Sequence, residues 1–198
     1  MSALTFDPIS HTYRVSGQVV PGVTSIIAPL TNYASVPAKV LEAAADFGRA
    51  AHMACELHDT GELDEESLDS SLAPYLAAWR AFSDHHAVEW EQIESPVYHT
   101  TFRYAGTPDR IGKVRGVRSV VDIKTTAALY PSVGPQLAAY ASAAGLSPVA
   151  QRIAVQLKAD GTYTAQRYAD PNDWPVFCSL LTLRNWCARH NITPTLKG

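Results

Sequence analysis

The sequence predicts a mixed α/β domain, and three observations predict it. Before residue 87 the Ala-rich composition of Ala38 to His58 favours helix, and Tyr75-Leu76, Trp79 and Phe82 recur at helical spacing. After residue 87 the period changes to that of strands, with β-branched runs such as Val120-Val121. Helical and strand patterns then alternate to the end of the chain, the order of an α/β fold. At 198 residues the length favours one domain, and such a chain buries roughly 70% of the surface it exposes when unfolded. A hydrophobic content of 46%, a charged content of 18% and a mean hydropathy of -0.07 exclude a disordered chain. No apolar run comes near the ~18 residues of a membrane helix.

Taken in order, His11 to Val15 alternates, Ser16-Gly17 signals a turn and Gln18 to Val20 returns, so the chain opens with a hairpin. An apolar segment, Val23 to Leu30, runs into a loop ending at Pro37. A helix over Ala38 to His58 stops at Asp59-Thr60-Gly61, and a polar loop (Glu62 to Asp69) leads to a second helix over Leu72 to His86. Strands are expected over Val88 to Tyr98, Phe102 to Val114 and Ser119 to Thr125, the second broken by Gly106 and Pro108. Pro135 to Ala144 returns to helix with Gly145 as its stop. Arg152 to Leu157 and Tyr163 to Tyr168 flank Asp160-Gly161 as a hairpin. Asp170-Pro171 opens a terminal helix to about His190, with the proline in its first turn. The expected partition is a single domain over 1–198: hairpin and helical arch (1–87), sheet (88–170), C-terminal helix and tail (171–198). Trp79, Trp174 and Trp186 are expected in the core.

Met1 to Pro8 has neither a basic n-region nor an apolar h-region, so no export signal is expected. Cys55, Cys178 and Cys187 cannot all pair and show no C-x-x-C spacing, which predicts reduced thiols and a cytoplasmic location. The net charge of -3 argues against a nucleic-acid binder, but its distribution is uneven. Lys39 to Glu94 holds thirteen acidic and three basic residues, whereas Arg103 to Lys124 holds six basic residues against Asp109 and Asp122. Such asymmetry can present a basic face on an acidic protein, although an ordinary solvated surface fits as well.

The chemistry concentrates in Val120-Val121-Asp122-Ile123-Lys124-Thr125. Along a strand Asp122 and Lys124 share one face, opposite Val121, Ile123 and Thr125. An edge strand with a polar outer face would account for that pattern alone. In the preceding strand, Gly106-Thr107-Pro108-Asp109 suggests a bulge or a break that re-aims Asp109, though a turn aspartate also fits. If the two strands pair through a turn within Lys113 to Arg118, Asp109 and Asp122 meet at one end. Facing carboxylates repel unless a cation sits between them, and such oxygen ligands suit Mg²⁺ or Mn²⁺.

Pro108-Asp109, twelve residues, then Asp122-Ile123-Lys124 resembles the signature of the PD-(D/E)XK nuclease superfamily. Gln136 and Tyr140 match the Q-x-x-x-Y motif of its RecB-like branch. Gly48 to His52, with Glu56 one turn later, resembles that branch's G-x-x-x-H helix. The opening Tyr13 to Ile27, including Val20-Pro21-Gly22-Val23-Thr24, is similar to phage and mitochondrial genome maintenance-type exonucleases. The resemblance covers residues 11 to 157. It implies a mixed central sheet flanked by helices, a restriction-endonuclease-like core. It implies Asp109, Asp122, the Ile123 main-chain carbonyl and His52 as metal ligands, with His52 tilting preference toward Mn²⁺, and Lys124 as the catalytic lysine. Gln136, Tyr140, Arg49 and Thr125 become expected DNA contacts, with Tyr130 a candidate for stacking on a base. Glu94 and Glu56 are possible accessory acids. Gly48 inside a helix is disfavoured by about 1 kcal/mol, which suggests a close backbone approach.

The implied activity is a metal-dependent DNA exonuclease acting on linear DNA, ends or single strands, in phage or prophage recombination, repair or replication. A single-strand annealing or other recombination protein is a possible partner. A structure-specific or single-strand endonuclease and a non-catalytic DNA-binding module are the alternatives. Some RecB-like nucleases hold an iron–sulfur cluster on four cysteines; with three, no cluster is expected here.

Overall fold

The computed structural model describes residues 4–8, 10–31, 33 and 36–193. The start of the expected leaderless N-terminus (1–3) and the expected tail after residue 193 lie outside the described residues.

The N-terminal hairpin is larger than expected. Strands β1 (Leu4–Asp7), β2 (Thr12–Val15) and β3 (Gln18–Val20) form an antiparallel three-stranded sheet. Four residues are too few to declare a period, but Phe6 pairs with Tyr13 in register and stacks on it at 4.6 Å. Next, Val23 to Leu30 folds as α1 (Val23–Ile27) and a single 3₁₀ turn (Ala28–Leu30). Val23, Ile26 and Ile27 bury one helical face, so tertiary contact overrides their β-branching.

Helices α2 (Ala38–Thr60) and α3 (Ala73–His86) follow the expected spans closely. Gly61 caps α2 at φ 74°, a left-handed position that suits glycine, and its N–H donates to the His58 carbonyl.

The two strands expected after the helices each divide in two. They become β4 (Glu89–Ile93), β5 (Val97–His99), β6 (Tyr104–Gly106) and β7 (Arg110–Val114). β5 and β6 form a separate two-stranded sheet, whereas β4 and β7 join the central one. The divisions fall at Ser95-Pro96 and Thr107-Pro108, where a missing N–H interrupts the ladder. Of the bulge or break expected before Asp109, the structure has the break, which lies between sheets, and a ladder irregularity lies in β4, between Trp90 and Gln92.

Then come β8 (Val117–Lys124), α4 (Val133–Ala143), β9 (Gln151–Leu157), β10 (Tyr163–Arg167) and α5 (Asp173–Arg189). The fold class is mixed α/β: a central five-stranded sheet in the order β10-β9-β8-β7-β4, with β8 and β9 parallel and the other pairs antiparallel, flanked by helices. β8 is the middle strand, so its Asp122 and Lys124 are not explained by an exposed edge. α5 begins two residues after Pro171, which lies outside the helix.

Two apolar layers cover the sheet. On one face, Val120, Ile111 and Ala154 meet α1, α4 and α5 through Ile26, Leu137, Tyr140 and Phe177. On the other, Val121, Ile123 and Val155 meet Cys55 of α2 and Ala78, Trp79 and Phe82 of α3. Part of the expected arch is therefore a packed layer, formed by α3 and the second half of α2; residues 38–50 of α2 are exposed apart from half-buried Leu41, Phe47 and Gly48. Trp79 is core and Trp174 half-buried, but Trp186 is 46% exposed and is not a core residue.

Candidate active site

The site is built on the β7–β8 hairpin. Arg115 and Gly116 turn it with φ of 51° and 74°, the two left-handed residues of a two-residue turn. The register runs from Val114↔Val117 to Arg110↔Val121, so one step further Asp109 comes beside Asp122. Asp109 is 7% exposed and Asp122 1%, and Asp109 Oδ2 accepts the Ile123 N–H at 2.5 Å.

Around Asp122 the groups close on one another. Lys124 Nζ lies 2.6 Å from Asp122 Oδ2 and 3.4 Å from Gln136 Oε1. Gln136 Nε2 donates to Asp122 Oδ1 at 3.0 Å and to the Tyr140 hydroxyl at 3.3 Å. Burial pushes the Asp122 carboxyl up to about 6, with Lys124 opposing and Asp109 adding to the rise. Burial works against the Lys124 ammonium, but Asp122 and Asp109 hold its pKa above the ordinary value. Tyr140 is buried and lies against Gly106, where a Cβ would come within 2.5 Å of Tyr140 Cε1. Close approach of a side chain thus accounts for this glycine.

Around Asp109 three ligand-bearing groups converge without closing. His52 Nδ1 lies 3.6 Å from Asp109 Oδ1 and 4.0 Å from Glu94 Oε1. Among the described residues, His52, Glu94 and Asp109 offer ligand atoms within 4.8 Å of one another, a candidate metal group. Glu94 leaves β4 in a left-handed conformation, φ 44°, its N–H donating to the Asp109 carbonyl at 3.0 Å. A non-glycine residue at such an angle is strained, and strain of this kind clusters at functional positions. Glu94 is therefore a member of the group rather than an accessory, while Asp122 stands outside it with its oxygens turned to Lys124 and Gln136.

Burial opposes the charged His52, but Asp109, Glu94 and Asp122 outweigh it and push its pKa up to about 9. Burial, then Asp109, pushes Glu94 up to about 8 against the pull of His52 and Arg110. Asp109 is held below the ordinary range despite its burial, chiefly by His52. A protonated imidazole thus offsets the acids. Two carboxylates and an imidazole suit a divalent cation of borderline softness, so the donor set fits the implied metal.

The remaining expected residues are less engaged. Glu56 is half-buried one turn beyond His52, and its charge adds to the rise at Glu94. A Cβ at Gly48 would lie 3.5 Å from Thr125 Oγ1, an ordinary contact, so Thr125 adjoins α2 without requiring glycine there. Arg49 is exposed and ion-paired with Asp46, and Tyr130 is 50% exposed; no described contact joins either to the cluster. Of the basic residues expected to form a face over Arg103 to Lys124, Arg103 and Arg115 are exposed, whereas others are buried or ion-paired. Arg110 is buried, Lys113 pairs with Glu89 at 2.9 Å and Arg118 with Glu91 at 2.8 Å. Beyond Lys124 lies a cavity of about 390 Å³ lined by Tyr75, Thr125, Thr126, Gln156 and Lys158.

Sequence reasoning missed Arg110 and Asp59. Arg110 Nε lies 2.7 Å from Asp59 Oδ2, and its NH1 donates to the Asp109 carbonyl at 2.7 Å. The Pro-Asp-Arg order was a signal, but an arginine on an alternating strand ordinarily faces solvent. No described helix is long and apolar enough to cross a membrane.

No family model matches the chain, and no curated protein matches it. Among solved structures, SSO0001 aligns at 16% identity with a TM-score of 0.40, over 61% of this chain and 59% of that one. The chain thus spans less than two thirds of that structure's length. LHK-Exo in complex with dAMP aligns at 14% identity with a TM-score of 0.49, over 86% of this chain and 89% of that one. The alkaline exonuclease LHK-Exo from Laribacter hongkongensis aligns at 14% identity with a TM-score of 0.41, over 83% and 90%.

Proposed function

We propose that the chain is a divalent-metal-dependent deoxyribonuclease that degrades DNA from its ends, in phage or prophage recombination, repair or replication. One observation carries the reading. Side chains from α2, the β4 end, the β7–β8 hairpin and α4 meet as an acidic, imidazole-bearing group beside a buried lysine–carboxylate pair. Charges are rarely buried together in a fold's middle strand without a chemical use.

His52, Glu94 and Asp109 would hold the cation, with Asp122 next to them. A bound divalent cation supplies Lewis-acid polarisation of the phosphodiester and lowers the pKa of a water. Lys124 presents an ammonium, its side chain 24% exposed, to the charge that develops on the phosphate. Gln136 orients both partners of that pair, its amide N–H donating to Asp122 and its carbonyl accepting from Lys124. The cavity beyond Lys124, with two threonine hydroxyls and Lys158, suits a sugar–phosphate backbone. End dependence is supported by the motif resemblance to phage and mitochondrial genome maintenance-type exonucleases and by the exposed first turns of α2, which leave room for a strand beside the site. A single-strand annealing protein is the partner that the motif resemblance implies.

End-labelled linear DNA and closed circles of the same sequence, incubated with Mg²⁺ or Mn²⁺, test this reading. Linear DNA should be degraded from its ends, circles should survive, and chelation should stop the reaction. Rapid cutting of single-stranded circles would replace the exonuclease with an endonuclease, and intact DNA throughout would refute the nuclease.

A further inference from the structure

Arg110 opens β7 with no solvent to face: it is fully buried, and its guanidinium lies 5.5 Å from the Trp79 ring centre. Its Nε meets Asp59 Oδ2 at 2.7 Å, its NH1 meets the Asp109 carbonyl at 2.7 Å, and the same NH1 lies 3.3 Å from Glu94 Oε1. Asp59 is held in turn by Trp79, whose Nε1 lies 3.0 Å from each of its oxygens. We infer that Arg110, clamped by Asp59, is the positioning residue of the candidate metal centre, fixing Glu94 and the Asp109 main chain in place.

The inference rests on reading His52, Glu94 and Asp109 as that centre. Glu94 needs an anchor because it sits at a positive φ. It has two: its N–H bonds the Asp109 carbonyl, and its carboxylate meets Arg110, which bonds that same carbonyl. One guanidinium therefore links the backbone of one candidate ligand to the side chain of another. The planar fork of arginine spans three acceptors, which a lysine ammonium on a flexible stem does not reproduce. Asp59 lies seven residues after His52 on α2, two turns along the same face, so one helix supplies both a candidate ligand and the clamp. Stability alone would not call for this construction. Arg110 NH2 is buried without a hydrogen bond, and apolar side chains often fill such space at no loss of stability.

Replacing Arg110 outright endangers the fold, so the test uses Asp59→Asn, which keeps the shape and removes the charge. Calorimetric titration of Mn²⁺ into the chain, with circular dichroism to confirm folding, compares wild type, Asp59→Asn, Glu94→Gln and the double variant. Each single change should weaken Mn²⁺ binding about tenfold or more, the usual scale for residues that orient metal ligands. The double variant should lose less affinity than the product of the two single losses, because part of the effect of Asp59 passes through Glu94. Arg110→Lys, if folded, should not restore tight binding. Wild-type affinity in folded Asp59→Asn, or effects that multiply, would overturn the positioning role while leaving the metal centre intact. Failure of wild type to bind Mn²⁺, or binding unchanged by His52→Ala, would overturn the centre and this inference together.

Discussion

Asp109 and Asp122 stand side by side at the end of one hairpin, yet their surroundings balance charge differently. Asp122 is closed off by groups of fixed chemistry: Lys124 on one oxygen and Gln136 on the other, with Tyr140 behind the amide. Asp109 faces His52 and Glu94, both only partly buried and with pKa values pushed up to about 9 and about 8. The first half is preassembled and needs nothing from solution. The second is balanced by a proton on imidazole, which a metal ion can displace. Under the proposed function, the second half takes up the cation and the first meets the phosphate.

The largest effects should separate the halves. Asp109→Asn should lose both Mn²⁺ binding and nuclease activity, whereas Asp122→Asn and Lys124→Met should lose activity by on the order of 10³ and retain more of the Mn²⁺ binding. Equal loss of Mn²⁺ affinity in all three, measured by calorimetry, would break the comparison. Asp122→Ala should also destabilise the protein by about 1–3 kcal/mol, because Lys124 loses its partner. Relief of repulsion with Asp109 alone would predict the opposite sign.

A structural change of intermediate size sharpens the same division. Gly106→Ala places a Cβ 2.5 Å from Tyr140 and 2.9 Å from Val23, so Tyr140 must move. A loss of about 1–3 kcal/mol is expected from such overpacking. Activity should fall with it through Gln136, while Mn²⁺ affinity stays near that of wild type; denaturant melts beside calorimetry read both.

The smallest effect is on pH dependence without metal. The folded His52 pKa, about 9, exceeds its ordinary 6.5, so its contribution is complete below 6.5 and is lost as pH rises through 9. Glu94, raised from 4.5 to about 8, also holds its proton more tightly when folded, so its term declines over that interval. The melting temperature of metal-free protein should therefore fall between pH 6.5 and 9. Saturating Mn²⁺ should flatten the profile, because metal affinity rises as the ligands lose protons. A metal-free profile rising over this range would reverse the assigned signs.

Legibility in the sequence follows the same line as the two halves. Strand alternation puts Asp122 beside Lys124 and i, i+4 spacing puts Gln136 beside Tyr140, but that the two pairs serve one site came from the motif resemblance. His52 to Asp109 spans a long stretch of chain, and there motif resemblance was needed. Glu94 was legible only as a possible accessory, because its role depends on a left-handed residue at a strand end. Arg110 and Asp59 could not be read, since a buried arginine is recognised by its partners and Asp59 lies 51 residues away. The expected strands over residues 88 to 114 failed for a related reason: proline marks an interruption, but not which sheet each piece joins.

Proton release on metal binding tests the central claim most directly. In weakly buffered solution near pH 7.5, adding Mn²⁺ should release protons from His52 and Glu94, because both pKa values are raised above that pH. His52→Ala should release fewer and bind more weakly. Binding without proton release, or release unchanged in His52→Ala, would contradict a metal centre built on His52, Glu94 and Asp109.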